Sequence, residues 1–386
     1  MTLPAGSAEA VEAHVGALIG RLTASGDLTR PEWVRALRAA PRHLFAPERA
    51  WCAPDGPGEC YPIDREADPE HWMSAVYSDA AVITQIGDGD GDPATGRGAW
   101  TSSLSAPGAV TAFLELLAPG DGDRVLEIGT GTGWSAALLS ARARSGAVTS
   151  VEIDERVAAR AAVNLAAAGF GPRLLTADGA DRVPAGAPFD RVHVTCGVTT
   201  VPYAWVEQTR PGGVIVFPWM PEYAGGHKVR LTVTGDGRAV GGFHGSASYM
   251  MMRSQRGTGL PLEGEGRESV ARVGPRVVAG AAYGADVAIA GMLPDVMGAE
   301  RTTGDGRFAL VLADTAGASW ARCEDTPDAD GHRVVQAGPR RLWDEVVDAY
   351  LRWVEWGRPA RAAFGMTAGP GYQHIWRDHP GNPITS

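Results

Sequence analysis

The sequence predicts an α/β fold: a doubly wound parallel sheet, preceded by helices and followed by an extra α+β region. Three observations carry this. Between residues 124 and 235, short apolar runs alternate with helix-period stretches, the pattern of successive βαβ units. Upstream, two amphipathic helical patterns precede loops rich in Gly, Pro and Asp. Past about residue 250 the texture changes to short strand-like runs closed by a long helical segment.

Taken in order, Val11, Val15, Leu18, Ile19 and Leu22 lie on one face of a helix over residues 8 to 24. A second helix starts near Pro31, a good first-turn residue, and ends at Pro41. Residues 54 to 70 and 87 to 98 ("GDGDGDPATGRG") read as loops, the latter a surface loop or a mobile flap over a site. "RVLEI", "AVTSVEI", "RLLTAD", "FDRVHVTC" and "GVIVFPW" read as strands, with helices at Trp134 to Arg142 and Glu155 to Ala168. "KVRLTVTG" adds a late strand with alternating polarity. Beyond it, "RVVAGAAYGADVAIA", "RFALVLAD" and "RVVQAG" are strand-like. The closing helix from Arg341 places Leu342, Val346, Tyr350 and Val354 on one face, with Gly357 as stop and Pro359 preventing continuation. Its Trp343, Trp353 and Trp356 read as docking contacts rather than a base-stacking platform. Three regions follow: 1–100 with helices and flap loops, 101–245 with the parallel sheet, and 246–386 as a C-terminal extension.

Composition narrows the classes. The chain has 386 residues, 44% apolar and 21% charged, ordinary for a globular protein. A net charge of -10 argues against a nucleic-acid partner, which calls for a basic patch or stripe. Lys228 is the single lysine, so the positive charge is nearly all arginine. Cys52, Cys60, Cys196 and Cys323 form no CxxC pair, so neither a zinc ribbon nor a disulfide framework is indicated. No secretory leader is visible at the N-terminus and no uncharged apolar run is long enough to span a bilayer. The expectation is a cytoplasmic enzyme with reduced thiols, no metal and no membrane partner. Oligomeric state is left open.

"VLEIGTGTGWSAALLS" (125–140) poses the functional question. Gly129, Gly131 and Gly133 follow a strand and precede a helix, so the backbone can adopt positive φ and approach a ligand at the free N–H groups of a helix start. A dinucleotide fingerprint requires glycine at 134, where tryptophan stands, and no GK pair exists for a phosphate-cradling loop. Glu127 before the turn repels a pyrophosphate but suits an ammonium group. Glu152 ends the next strand, where a carboxylate can accept both hydroxyls of a ribose. Asp178-Gly179 closes the third strand, within reach of an adenine edge. Adenine, ribose and a zwitterionic tail without phosphates describe S-adenosylmethionine.

"VLEIGTGTGWSAALL", "VEIDERVAARAAVNLAAAGF", "LLTADGADRVPAGAPFDRVHVTCG" and "VEQTRPGGVIVFP" resemble the protein-L-isoaspartate O-methyltransferase family, as do "APRHLF", "VYSDAAV" and "SLSAP" upstream. The resemblance covers about residues 30 to 235, and "SLSAP" is its most discriminating piece. It implies a Rossmann-like class I methyltransferase sheet acting on a peptide carboxylate. Ser105 would lie at the methyl-transfer site with Asp79. Ser103, Leu104, Glu127, Gly129, Thr130, Gly131, Gly133, Trp134, Glu152, Ile153, Asp178, Gly179 and Thr195 would line the cofactor. The lengthened stretch between Asp79 and Ser105 and the long extension are similar to the branch found beside ribosomal peptide maturation systems, those of lanthipeptides and ATP-grasp-made peptides.

A carboxylate acceptor is ionised at neutral pH, with a reference pKa near 3.9 for Asp, so no strong base is needed and none has to be found. Positioning and desolvation suffice, and Ser105 would orient the acceptor by a hydrogen bond. Its alternative is a capping serine before Pro107. Tyr77 and Asp79 are candidates for ordering this wall, with an ordinary turn role equally open. His193, inside an apolar strand, reads as a satisfied core residue, and Cys196 lacks an adjacent activator. The leading expectation is a carboxyl methyltransferase for an aspartate in a modified ribosomal peptide, leading through succinimide to aspartate or isoaspartate. General isoaspartyl repair, a binding protein without catalysis and, remotely, a nicotinamide dehydrogenase are the alternatives.

Overall fold

The computed structural model describes residues 7–143, 147–183, 186–257, 259–260, 265–326 and 331–384. Residues 1–6, on which the leader reading partly rests, and residues 184–185 of the "RVPAG" stretch lie outside them. The chain divides into two compact units, 1–196 with 204–217, and 197–203 with 218–386. The late strand "KVRLTVTG" therefore falls in the second unit.

The first unit begins with α1 (Ala8–Ser25), capped by Ser7, whose Oγ accepts the Ala10 amide at 3.2 Å, and stopped by Gly26 at φ 84°. Val15, Leu18 and Leu22 form its buried stripe. α2 (Pro31–Ala39) follows, with Pro31 in the first turn and Trp33, Ala36 and Leu37 buried. Four strands then make an antiparallel sheet in the order β2-β1-β3-β4: β1 (Arg49–Pro54), β2 (Tyr61–Asp64), β3 (Ala80–Ile86) and β4 (Trp100–Leu104). Between β2 and β3 lies α3 (Pro69–Val76), whose cap is Asp68. The 54–70 stretch thus holds β2 and the first turn of α3 as well as a loop. β2 hides in sequence because it is a short edge strand burying only Ile63, and its Pro62 is tolerated there.

α4 (Pro107–Leu117) leads into the parallel sheet. Its strands are β5 (Val125–Ile128), β6 (Val148–Glu152), β7 (Arg173–Thr176), β8 (Phe189–Val194) and β9 (Thr209–Trp219), the last belonging to this unit as far as Phe217. Within this unit they lie in the order β7-β6-β5-β8-β9. α5 (Trp134–Ala143) and α6 (Glu155–Ala167) make the crossovers, as the alternating pattern predicts. All four residues of β5 are buried, as expected for the central strand of a sheet covered on both faces. The chain winds outward through β6 and β7, then returns to the other side of β5 at β8. Such a reversal opens a crevice at the carboxyl ends of the strands. α7 (Tyr203–Glu207) contributes Trp205 to this unit, which is fully buried and donates its indole N–H to the Gly179 carbonyl at 2.7 Å.

In the second unit, β10 (Gly226–Val233) and β11 (Ala239–Ala247) pair antiparallel. β12 (Arg267–Ala271) follows. "RVVAGAAYGADVAIA" is then not strand but two helices, α8 (Pro275–Ala279) and α9 (Tyr283–Met292). Pro275 starts α8, and α9 buries Gly284, Ala285 and the whole run Val287–Gly291. A helix of small residues buried nearly all round has no amphipathic period to read. β13 (Val296–Thr302), β14 (Phe308–Asp314), β15 (Trp320–Glu324) and β16 (His332–Ala337) complete a five-stranded antiparallel sheet, order β12-β16-β15-β14-β13. α10 (Leu342–Glu355) buries Leu342, Trp343, Val346, Ala349, Tyr350 and Trp353, leaving Val354 half-buried, and ends at Gly357 with φ 85°. β17 (Phe364–Gly369) pairs β11, and β18 (Tyr372–Arg377) pairs β17. Among the described residues, no helix is long and apolar enough to cross a membrane and no three His, Cys, Asp or Glu side chains group to hold a metal ion.

Candidate active site

The glycine turn after β5 has the geometry its composition predicts. Gly129, Gly131 and Gly133 all have positive φ, at 91°, 55° and 91°. A side chain at 129 would place its Cβ 2.4 Å from Thr195 Oγ1, so glycine is required by space as well as conformation. Thr195 in turn donates its hydroxyl to the Gly129 carbonyl at 2.5 Å and the Ile128 carbonyl at 3.1 Å, locking the turn to the end of β8. The Thr130 hydroxyl is 2.6 Å from the Ser150 hydroxyl and buried. Gly131 approaches the end of β4, since a Cβ there would meet the Ser103 carbonyl oxygen at 3.4 Å.

At the neighbouring strand ends, Glu152 Oε2 accepts the Gly131 amide at 2.9 Å and Oε1 the Asp154 amide at 3.1 Å. Burial raises its carboxyl above the ordinary range, opposed by these backbone donors. Ile153 beside it is an exposed aliphatic side chain at 36%. Asp178 Oδ1 accepts the Ala180 amide at 2.9 Å. Gly179 lies so close to β5 that a Cβ would meet Ile128 at 2.3 Å. Cys196 sits near the same carboxylates. Burial, then Glu152 and Asp178, push its thiol up to about 12, so it is no nucleophile.

Three expected cofactor contacts, Glu127, Trp134 and Leu104, have buried side chains. Glu127 is 0% exposed: its Oε2 accepts from Ser150 at 2.6 Å and its Oε1 lies 3.6 Å from His193 Nδ1. Ser150 and His193 are its register partners on β6 and β8, so the carboxylate lies inside the sheet, one oxygen bonded to Ser150 and Oε1 buried without a hydrogen-bond partner. The Trp134 side chain is also buried, its indole N–H donated to the Ala40 carbonyl at 3.0 Å. Leu104 is likewise buried, leaving only its backbone for a ligand.

Ser105, expected at the acceptor side, lies just past the end of β4. α4 begins after it with Ala106 as a cap lacking any side-chain bond, so Ser105 is not the capping residue. Asp79 takes that role from outside the helix: its Oδ1 accepts the Gly108 amide at 2.7 Å, a carboxylate at a helix start. Ser105 offers its carbonyl to Arg42 at 2.7 Å, while among the described residues no group hydrogen-bonds its hydroxyl. Tyr77 is buried, its hydroxyl 2.8 Å from His43 Nδ1 and pushed up to about 12 by burial. The 87–98 loop is held at both ends, with the Gly87 amide donating to the Ala99 carbonyl at 2.8 Å and the Trp100 indole N–H to the Gly96 carbonyl at 3.1 Å. Arg156 of α6 donates to the Asp88 carbonyl at 2.8 Å, and Gln85 of β3 donates to Asp154 at 3.2 Å.

Residues 61–250 match the family model described as Protein-L-isoaspartate(D-aspartate) O-methyltransferase. A protein-L-isoaspartate O-methyltransferase of Archaeoglobus fulgidus is 30% identical over 203 residues, covering 52% of this chain and 76% of the relative. The chain belongs to the protein-L-isoaspartate O-methyltransferase family. The Methanosarcina mazei enzyme of that name is 35% identical over 152 residues, 39% of this chain. The chain spans only 57% of that relative's length and 53% of the one from Thermococcus onnurineus. A solved protein-L-isoaspartate O-methyltransferase structure shares the fold, with TM-score 0.55 and 21% identity over 95% of this chain and 100% of that one.

The family's cofactor, S-adenosylmethionine, fits the residues present. An ionised carboxylate has about four acceptor positions. Glu152 uses two on backbone amides and keeps capacity for two ribose hydroxyls. Ile153 supplies an apolar face and Gly129–Gly131 a backbone approach for the tail. The sequence reading of this methyltransferase family member missed Arg42. The signal was present in "APRHLF", but nothing in a sequence says that a lone arginine will be 1% exposed with four carbonyl acceptors.

Proposed function

We propose that the chain is an S-adenosylmethionine-dependent O-methyltransferase that esterifies a side-chain carboxylate of a peptide. The observation carrying this is Ser105: its carbonyl is held by Arg42, two residues beyond the Ser103 carbonyl that faces Gly131, while its hydroxyl is uncommitted. When bound, the cofactor supplies a methyl carbon on a sulfonium, open to displacement by a carboxylate oxygen. Glu152 would hold the ribose, Ile153 and Asp178-Gly179 the adenine side, and the turn from Gly129 to Gly133 the amino-acid tail. The Ser105 hydroxyl would donate to one acceptor oxygen and leave the other to attack. Asp79 would hold the start of α4, and Thr195 the turn.

The substrate we infer is an aspartate in a ribosomally made, modified peptide. The resulting methyl ester loses methanol when the next backbone nitrogen attacks its carbonyl carbon, the nitrogen's proton leaving with the methoxide. The product is a succinimide, which water opens to aspartate or isoaspartate. The reading rests on the glycine- and aspartate-rich loop at 87–98, inside the matched stretch, and on residues 251–386, past it. General repair of isoaspartyl proteins is a second reading. It is favoured by the family match. Incubation of the purified chain with labelled methyl donor and linear aspartyl, cyclised aspartyl and isoaspartyl peptides tests both. Label on the cyclised aspartyl peptide supports the first reading and label on the isoaspartyl peptide alone supports the second. No label on any peptide, despite cofactor binding, sinks both.

A further inference from the structure

We infer that Arg42 and Trp134 act as one positioning unit, which holds the Ser105 segment in register with the glycine turn. This rests on the proposed methyl transfer at Ser105 for its functional meaning, and on geometry alone for its structural content.

Arg42 reaches four carbonyls on three pieces of backbone. Its Nε donates to Val76 at 2.7 Å, one terminal nitrogen to Ser105 at 2.7 Å, and the other to Ala80 at 2.9 Å and Leu104 at 3.2 Å. These are the end of α3, the start of β3 and the end of β4 with the loop beyond it. The guanidinium lies 4.5 Å from the Trp134 ring centroid. Trp134 opens α5 directly after Gly133, and its own N–H is tied to Ala40, two residues before Arg42. The stack therefore joins the helix that follows the glycine turn to the loop that carries Ser105. It also gives a reason for tryptophan where a dinucleotide turn has glycine.

A fully buried cation pays several kcal/mol in desolvation. Burial pulls the Arg42 guanidinium down to about 9, opposed by the charge of Asp79. Among the described residues no carboxylate pairs with it within 4.0 Å. An apolar side chain would fill the space without that cost, so what the charge adds is directional: a planar fork addressing three segments and an indole face at once. Lysine has one nitrogen and cannot span them. Because displacement of reacting groups by about 1 Å can cost ~10²-fold in rate, a clamp on this loop acts on turnover more than on cofactor affinity.

The test uses the full chain and four variants: R42K, W134L, W134F and S105A. Folding is checked by circular dichroism, cofactor affinity by calorimetry with S-adenosylhomocysteine, and local order by hydrogen exchange over residues 103–108. Turnover is measured on whichever peptide the wild type methylates. We expect R42K and W134L to raise exchange over 103–108 and to lower kcat by roughly 30–100-fold. Affinity for S-adenosylhomocysteine should stay within about threefold in R42K. W134F, which keeps an aromatic face, should recover most of the turnover. R42K combined with S105A should be no worse than S105A within about threefold, since both act through one hydroxyl. Unchanged exchange over 103–108 in R42K, or multiplicative losses in the double variant, would overturn the inference. Should R42K fail to fold, W134L carries the same readouts. Should the wild type methylate nothing, the proposed function fails while the exchange experiment still decides the clamp.

Discussion

Glu152 Oε2 accepts the Gly131 amide at 2.9 Å, so one carboxylate ties the end of β6 to the middle of the glycine turn. Hydrogen bonds to a charged group contribute about 1.5–3 kcal/mol each. Glu152→Ala should therefore weaken S-adenosylhomocysteine binding by at least ~10-fold in calorimetry, with Glu152→Gln intermediate. Its carboxyl is raised by burial, so ligand affinity should fall on acidification at a higher pH than an exposed glutamate, near 4.3, would give. The sign for the free protein is opposite. A raised carboxyl favours folding below its unfolded value and loses that contribution as pH rises through the folded one.

One substitution should have opposite effects at two glycines. Gly129→Ala places a side chain at φ 91° and 2.4 Å from Thr195 Oγ1, and should cost about 1–3 kcal/mol together with cofactor binding. Gly16→Ala, inside α1 with nothing within 4 Å of the new Cβ, should stabilise by about 0.5–1 kcal/mol. Thermal denaturation of both variants reads the contrast directly.

Removal of the Asp79 carboxylate leaves the Gly108 amide without its acceptor. Asp79→Ala should cost about 1–2 kcal/mol in urea denaturation, by analogy with lost helix caps. Asp79→Asn retains an oxygen acceptor and should cost less. A stability loss equal in both variants would mean that charge, not the hydrogen bond, is what matters there.

His227 gives the second unit a defined acid response. The ring is 0% exposed among Trp219, Phe243 and Tyr283, and burial, then Arg361, lower its pKa from 6.5 to about 3. The unfolded chain takes up the proton first as pH falls. The contribution is therefore present above 6.5 and lost progressively toward 3, with a slope of up to ~1.4 kcal/mol per pH unit. His227→Phe should flatten the decline of urea midpoints between pH 6.5 and 4. An unchanged slope would assign the acid response to other groups.

The parallel sheet and its turn were legible because short strand-forming runs, apolar throughout in the Val214–Phe217 part of β9 and nearly so in β5, alternate with helix-period stretches and with glycines at fixed spacing. The N-terminal sheet was not. β1 and β2 are short, and β3 is buried on both faces, so it shows no alternation. α9 defeated periodicity for the same reason, being apolar around its circumference. Among the site residues, Glu152 and the glycines follow from strand–turn–helix order. The fate of Glu127 depended on its partners across two strands, Ser150 and His193, which only the register reveals.

At position 105 the main chain is gripped through its carbonyl, and the side chain owes nothing to the architecture. Exchange of that side chain should thus leave the segment standing. Under the proposed methyl transfer, chemistry and scaffold are separable at this one residue, and a designer or natural drift can vary the side chain there without first having to rebuild the support.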